Sequence, residues 1–233
     1  MRSSFGTISI HASEVLTGIG IVGGSSRIVW FNIYNILNKL VNYNFMLKTS
    51  KHARTCARKH TRERSHGIDD YIGLDERAGL VKSVLTKNGL SHGFVAYTDG
   101  SCWNSDPNRS GGAAYVVLDN HGRVYRSAHK GFRGTSNNRM EMLAIISAVA
   151  SVPKGSSIVV LTDSQYSIRA FTYGGSKNQD LIELFDKCGM DRDVSLEWVR
   201  GHDGTPLNEW CDHWAGVEYR AMSESVKNCK QEG

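Results

Sequence analysis

The sequence has few cysteines, no apolar run long enough to span a membrane and, before residue 63, almost no acidic residues. Its five cysteines are an odd number, are widely spaced and form no C-x-x-C pair, so neither a disulfide framework nor a zinc site is indicated. Residues 28–47 are partly apolar but are interrupted by asparagines and a lysine, which argues against a membrane span. A reducing, cytoplasmic location is therefore expected.

Acidic residues are scarce at the start, where Glu14 is the only acid before Glu63. Glycines break any compact apolar core there, so a secretory signal is not predicted, whereas an organelle transit peptide is an alternative to a cytoplasmic location. Residues 1–93 carry 13 Lys/Arg and 6 Asp/Glu, and residues 94–222 carry 13 and 15. The basic excess lies in the N-terminal third and indicates an anionic partner such as nucleic acid.

The densest basic segment, residues 48–64, contains seven Lys/Arg against a single acid. It is interpreted either as a solvated linker or as an arm that contacts phosphates. We expect residues 1–92 to form a basic, poorly ordered N-terminal extension with a short helix near 75–88. Residues 223–233 are expected to form a C-terminal tail.

From residue 93 the apolar pattern predicts a compact α/β domain that extends to residue 222. The predicted strands are 94–98, 111–118, 123–132, 156–161 and 194–200, and the predicted helices are 140–150, 163–171, 179–188 and one opened by Thr205-Pro206. Three consecutive strands followed by alternating helices and strands predict a mixed five-stranded sheet flanked by helices.

Four acids are candidates for chemistry: Asp99, Glu141, Asp163 and Asp212. Each has a simpler interpretation. Asp99-Gly100 could be a turn, Glu141 could complete a capping box with Asn138, Asp163 could cap a helix, and Asp212 could be an exposed helical acid. These simpler interpretations are less convincing when the four acids are considered together. Three of the acids fall at strand ends or helix starts, and the topology of the sheet brings such chain segments close to one another. Clustered carboxylates repel one another unless cations such as hard divalent ions lie between them.

Residues 94–222 resemble type 1 ribonuclease H, which cuts the RNA strand of RNA–DNA hybrids. The matching segments occur in the family's order and at similar spacing: Tyr97-Thr98-Asp99-Gly100-Ser101-Cys102, Thr135-Ser136-Asn137-Asn138-Arg139-Met140-Glu141, Thr162-Asp163-Ser164-Gln165-Tyr166, Trp198-Val199-Arg200-Gly201-His202 and Asn208-Glu209-Trp210-Cys211-Asp212.

The resemblance implies a ribonuclease H-like fold and two-metal phosphodiester hydrolysis with 5′-phosphate and 3′-hydroxyl products. It makes the four acids the ligands of two Mg²⁺ ions, with Mn²⁺ as an alternative, and Asp99 the ligand that both ions share. It gives His202 a part in proton transfer or product release. Side chains expected to contact the hybrid, as implied by the resemblance, are Cys102, Asn137, Asn138 and Gln165.

One departure from the family pattern concerns substrate binding. Many bacterial relatives carry a long basic protrusion between the two middle helices, whereas residues 172–180 offer two glycines and a single lysine here. The hypothesis is that the basic arm at 48–64 supplies the phosphate contacts that this protrusion makes in the relatives. Alternative functions are another nuclease of the same superfold, of the resolvase or transposase type, and a non-catalytic hybrid-binding module. A monomer that does not associate with membranes is expected.

Overall fold

The computed structural model describes residues 67–231 apart from residue 104, with side chains described up to residue 224. The basic arm at 48–64 and the rest of the extension before residue 67 lie outside the described residues. After a 3₁₀ helix at Ile68–Asp70 the elements are α1 Leu74–Lys87, β1 Phe94–Cys102, β2 Gly111–Leu118, β3 Val124–Phe132, α2 Asn137–Ser151, β4 Ser157–Thr162, α3 Gln165–Tyr173, α4 Gln179–Gly189, β5 Asp193–Trp198 and α5 Pro206–Gln231.

The five strands form one mixed sheet in the order β3-β2-β1-β4-β5. Strands β1 to β3 are an antiparallel meander, and β4 and β5 run parallel to β1 through helical crossovers. This confirms the predicted fold class. Because β1 is central and β4 is its parallel neighbour, the carboxyl ends of these two strands meet at one edge of the sheet, where Thr98 pairs with Thr162.

Alternating residues of the strands supply two separate cores, one on each face of the sheet. Ala96 and Val160 face a core completed by α2, α3 and α4. Val95 and Val159 face the opposite core, which α1 and α5 complete. The central strands are buried on both faces, which explains why their sequences are continuously apolar rather than alternating.

Glycines let helices approach the sheet to backbone distance. A Cβ at Gly100 of β1 would lie 2.1 Å from the backbone nitrogen of Glu141 in α2. A Cβ at Gly112 of β2 would lie 2.1 Å from the carbonyl oxygen of Ala215 in α5. Any larger residue at either position would push a helix away from the strand, so these two contacts fix where α2 and α5 lie over the sheet.

Helix boundaries differ from the sequence predictions in informative ways. Helix α1 matches the predicted helix closely, and Pro206 opens α5 as expected. Helix α2 starts at Asn137 with Ser136 as its N-cap, so the capping box of Asn138 with Glu141 is wrong. Helix α5 continues to Gln231 and therefore includes most of the segment predicted as a tail. No helix among the described residues is long and apolar enough to span a membrane.

The segment just before β1 is fastened to the sheet. Arg77 of α1 is buried, and its guanidinium donates to the carbonyl of Gly122 at 3.0 Å, to the carbonyl of Ile72 at 2.8 Å and to the carboxylate of exposed Asp69 at 2.7 Å. At the other end of the helix, Lys87 donates to Glu197 of β5 at 2.7 Å. Helix α1 is thus joined to the β2–β3 turn and to the far edge of the sheet.

We predict that Arg77→Ala lowers the free energy of unfolding by about 2–3 kcal/mol, because two buried carbonyls lose their donor. Urea denaturation followed by circular dichroism measures this change. The control is Lys82→Ala, an exposed position on the same helix, which should change stability by less than about 0.5 kcal/mol. Equal effects of the two substitutions would show that the Arg77 contacts do not hold α1 in place.

Candidate active site

Asp99 lies on β1 near the edge where β1 and β4 end. The residue is 7 % exposed, and its carboxylate accepts a hydrogen bond from the Gly100 backbone N–H at 2.7 Å. Burial, followed by the charges of Glu141, Asp163 and Asp212, raises its pKa well above the usual range. A buried carboxylate that faces three others is unfavourable in the absence of a counter-charge.

Glu141 lies in the second turn of α2, and the close approach at Gly100 brings it beside Asp99. The Asn137 amide nitrogen donates to Glu141 Oε1 at 3.1 Å, whereas Oε2 is buried and accepts no hydrogen bond from the residues that the structure describes. Burial and then the charge of Asp163 raise the pKa of Glu141 to about 8, although the Ser164 hydroxyl and the Asn137 amide offset part of the rise. An unsatisfied buried carboxylate oxygen calls for a ligand.

Asp163 follows β4 directly and precedes α3. It does not cap that helix: the N-cap is Ser164, whose hydroxyl accepts from the Ser167 N–H. The Trp198 indole N–H donates to the Asp163 carbonyl at 3.1 Å, and a Cβ at Gly201 would lie 2.4 Å from Asp163 Oδ2. The loop after β5 therefore closes against this carboxylate. Burial is the main reason that the pKa of Asp163 is raised, and the nearby His202 charge acts in the opposite direction.

Asp212 lies on α5, close enough for its charge to raise the pKa values of both Asp99 and Asp163. The neighbouring Cys211 thiol donates to the Tyr97 carbonyl at 3.3 Å, which fastens this turn of α5 beneath β1. The structure thus brings all four predicted acids to one site. The turn and exposed-acid interpretations of Asp99 and Asp212 do not describe these surroundings.

His202 lies in the loop between β5 and α5 and has a left-handed backbone with φ of 52°. Its ring and the carboxylates of Glu209 and Asp212 offer ligand atoms within 4.8 Å of one another. Sequence reasoning did not single out Glu209 as a site residue. The available signal was its spacing, because residues three apart on a helix share a face and Glu209 precedes Asp212 by three.

The four predicted substrate contacts surround the carboxylates in different ways. The side-chain amide of Asn137 forms two hydrogen bonds within the protein. Its oxygen accepts from the Cys102 N–H at 3.1 Å, and its nitrogen donates to Glu141. Asn138 and Gln165 are exposed in the first turns of α2 and α3. Cys102 is half-buried, and its thiol donates to the Thr135 carbonyl at 3.7 Å. Asn138 and Gln165 are thus the two amides with side chains open to solvent.

The carboxylates fit a hard divalent cation. Asp99, Glu141 and Asp163 offer oxygen atoms within 4.8 Å of one another. Hard oxygen donors are the ligands that Mg²⁺ and Mn²⁺ prefer. The raised pKa values and the unpartnered oxygen of Glu141 both indicate that the isolated cluster lacks positive charge, which a bound cation would supply.

Comparison with known proteins agrees with this geometry. The model of the RNase H family matches residues 91–219. A ribonuclease H of Anaeromyxobacter dehalogenans strain 2CP-C is 35% identical over 150 residues, which cover 56% of this chain and 81% of that protein. A ribonuclease H of Polynucleobacter asymbioticus is 35% identical over 151 residues, which cover 57% and 96%. The chain belongs to the RNase H family and is a nuclease of the hydrolase class.

A solved structure is also similar. The N-terminal RNase H domain of a Mycobacterium tuberculosis protein, solved as a fusion with maltose-binding protein, matches with a TM-score of 0.48 and 22% identity. The match covers 58% of this chain and 99% of that one.

We predict that Asp99→Asn stabilises the protein in chelator, because it removes one of several mutually repelling buried charges. A carboxyl group whose pKa is raised on folding costs no stability at acid pH. It costs progressively more as the pH rises from its unfolded pKa to its higher folded pKa, and for the neighbouring Glu141 these two values are 4.5 and about 8. The gain in the free energy of unfolding should therefore be larger at pH 8 than at pH 5. At pH 8 a gain of about 1 kcal/mol would raise the melting temperature by about 2–4 °C.

Differential scanning calorimetry in EDTA at the two pH values measures this. Asp186→Asn, at an exposed position of α4, is the control for loss of a negative charge. A lower melting temperature for Asp99→Asn than for wild type at pH 8 would contradict the repulsion argument.

Proposed function

We propose that this protein is an endoribonuclease that hydrolyses the RNA strand of RNA–DNA hybrids and leaves 5′-phosphate and 3′-hydroxyl ends. The observation that supports it most is the convergence of Asp99, Glu141, Asp163 and Asp212, with one buried carboxylate oxygen left without a partner. Membership in the RNase H family supports the substrate class.

In the proposal, the four carboxylates hold two Mg²⁺ ions, with Mn²⁺ able to replace them. Bound divalent ions would lower the pKa of the attacking water and stabilise the charge that develops on the phosphate. Asp99 is the central ligand, because its carboxylate experiences the charges of the other three. Asn137 holds Glu141 in place through its amide, and Gly201 leaves room for the Asp163 carboxylate.

His202 is the proposed proton carrier. It is exposed on the loop that closes against Asp163, and its ring lies beside Glu209 and Asp212, so it can exchange protons with solvent at the edge of the carboxylate cluster. Imidazole is suited to give a proton to the departing 3′ oxygen or to assist release of the product near neutral pH.

Selection of RNA is proposed to depend on the exposed amides of Asn138 and Gln165. An amide both donates and accepts hydrogen bonds, as does a 2′-hydroxyl, and 2′-hydroxyls distinguish RNA from DNA across the shallow minor groove of a hybrid. Cys102 and Asn137 are coupled to each other by the Cys102 N–H. We propose that they line the same groove.

The function is tested by incubating the protein with labelled RNA–DNA hybrid, double-stranded DNA, double-stranded RNA and a four-way junction, with Mg²⁺ and with EDTA. Cleavage of only the RNA strand of the hybrid, and only with Mg²⁺, is expected. Cleavage of the junction or of double-stranded DNA would favour a resolvase- or transposase-type nuclease. Binding of the hybrid without cleavage would favour a non-catalytic module.

We further propose that the basic arm at 48–64 supplies phosphate contacts, since the catalytic domain is slightly acidic. Removal of residues 1–66 should weaken hybrid binding and reduce the slope of log affinity against log salt, which is about −0.9 per neutralised phosphate on duplex DNA. Fluorescence anisotropy in Ca²⁺ at several salt concentrations measures both. Unchanged affinity and slope would make this segment a linker.

The described cysteines Cys102, Cys188 and Cys211 are free thiols. With the sequence pattern, they support a proposed reducing location. We propose the cytoplasm, with an organelle as the alternative, and a monomeric enzyme.

A further inference from the structure

Two adjoining depressions lie along the exposed side of α5. One, of about 480 Å³, includes Asp212 in its lining, and the other, of about 410 Å³, extends along the helix to Ser223 and Glu224. Both are lined by Ser101, Tyr219 and Arg220. Because they share these side chains, we treat them as one channel, the α5 groove, which begins at the carboxylate cluster and leads away from it.

Arg220 is the only lysine or arginine among the residues that line the two depressions. Side chains of a helix lean towards its N-terminus, and the Arg220 guanidinium lies over Gly216, where a Cβ would be 3.1 Å from Nη1. Gly216 is one helical turn, or about 6 Å, beyond Asp212. The cation therefore lies about one helical turn beyond Asp212 along the groove.

Arg220 is exposed, and within the described part of the chain it forms no ion pair. Its guanidinium instead lies 5.4 Å from the centre of the Tyr219 ring. Glu209 and Glu224 also line the groove, so Arg220 stands between acids without bonding to either. A guanidinium held in this way keeps its donors available for a phosphate.

Aromatic side chains form two walls of the groove. Tyr71 precedes the residues that match the family and lines the depression that contains Asp212, so it lies at the carboxylate end. Burial and then the charge of Glu209 raise its pKa. Trp103, 44 % exposed, follows β1 and lines the other end. In a hybrid the bases are paired, so these rings can pack only against the riboses at the edge of the strand, where 2′-hydroxyls and phosphates are presented.

We propose that the α5 groove holds the cleaved RNA strand on one side of the scissile phosphate, with Arg220 contacting a phosphate next to the one that reacts. This rests on the proposed function. The groove continues directly from Asp212, and Arg220 offers a guanidinium to a phosphate among the acids Glu209, Asp212 and Glu224. The strand that passes the carboxylates is therefore the occupant that the geometry favours over a separate ligand.

The test compares wild type with Arg220→Ala on three RNA–DNA hybrids that share one cleavage site. In the first, the RNA extends on both sides of the site; in the others it ends close to the site on the 5′ or the 3′ side. On the first hybrid and on one shortened hybrid, Arg220→Ala should raise KM about tenfold, leave kcat within about twofold and reduce the salt slope by about one. The other shortened hybrid has no RNA that can enter the groove, and on it the KM of Arg220→Ala should match that of wild type.

Two variants serve as controls. Arg220→Lys should recover part of the affinity, because it retains the charge without the planar fork. Arg123→Ala removes an exposed arginine at the β2–β3 turn, at the opposite end of the sheet, and should leave every KM unchanged.

An unchanged KM for Arg220→Ala on the long hybrid, or an equal increase on both shortened hybrids, would overturn the assignment of the groove while the proposed function stands. A lower melting temperature with unchanged KM would also overturn it, because Arg220 would then only offset the neighbouring acids. Failure of wild type to cleave any of the three hybrids would overturn the proposed function itself.

Discussion

Electrostatic repulsion among carboxylates is the constraint on which the rest of this structure depends. Asp99, Glu141 and Asp163 offer oxygen atoms within 4.8 Å of one another, and Asp212 adds its charge from α5. Burial strengthens each repulsion because little water remains to screen it. The fold keeps these groups together by attaching each of them to an element held by extensive apolar contacts, so that the cost of the site is offset by the two cores.

Glycine residues determine how closely those elements approach. Gly100 allows the backbone of α2 to touch β1, Gly112 does the same for α5 and β2, and Gly201 leaves space for the Asp163 carboxylate. A side chain at any of these positions would separate the acids by moving a helix or a loop. The site is therefore specified as much by residues without side chains as by the carboxylates.

The sequence predicted the strands, their mixed sheet and the proximity of the four acids, because β-branched runs and the position of three acids at element ends are local signals. It was less successful where the outcome depends on atoms distant in the chain. Asn138 was considered as a cap for α2, yet it lies inside the helix and the N-cap position is Ser136, whose side chain makes no capping hydrogen bond. The docking of α1 was not predicted, since Arg77 finds its acceptor at Gly122, 45 residues away.

The central claim is that the four carboxylates together bind divalent cations. Its most direct test is the melting temperature of wild type and of Asp99→Asn during titration with Mg²⁺ from a chelated state. A ligand that binds only the folded state stabilises it by mass action. Wild type should therefore gain stability as Mg²⁺ rises, whereas Asp99→Asn should respond weakly. Equal stabilisation of the two proteins, or none in wild type, would contradict the account.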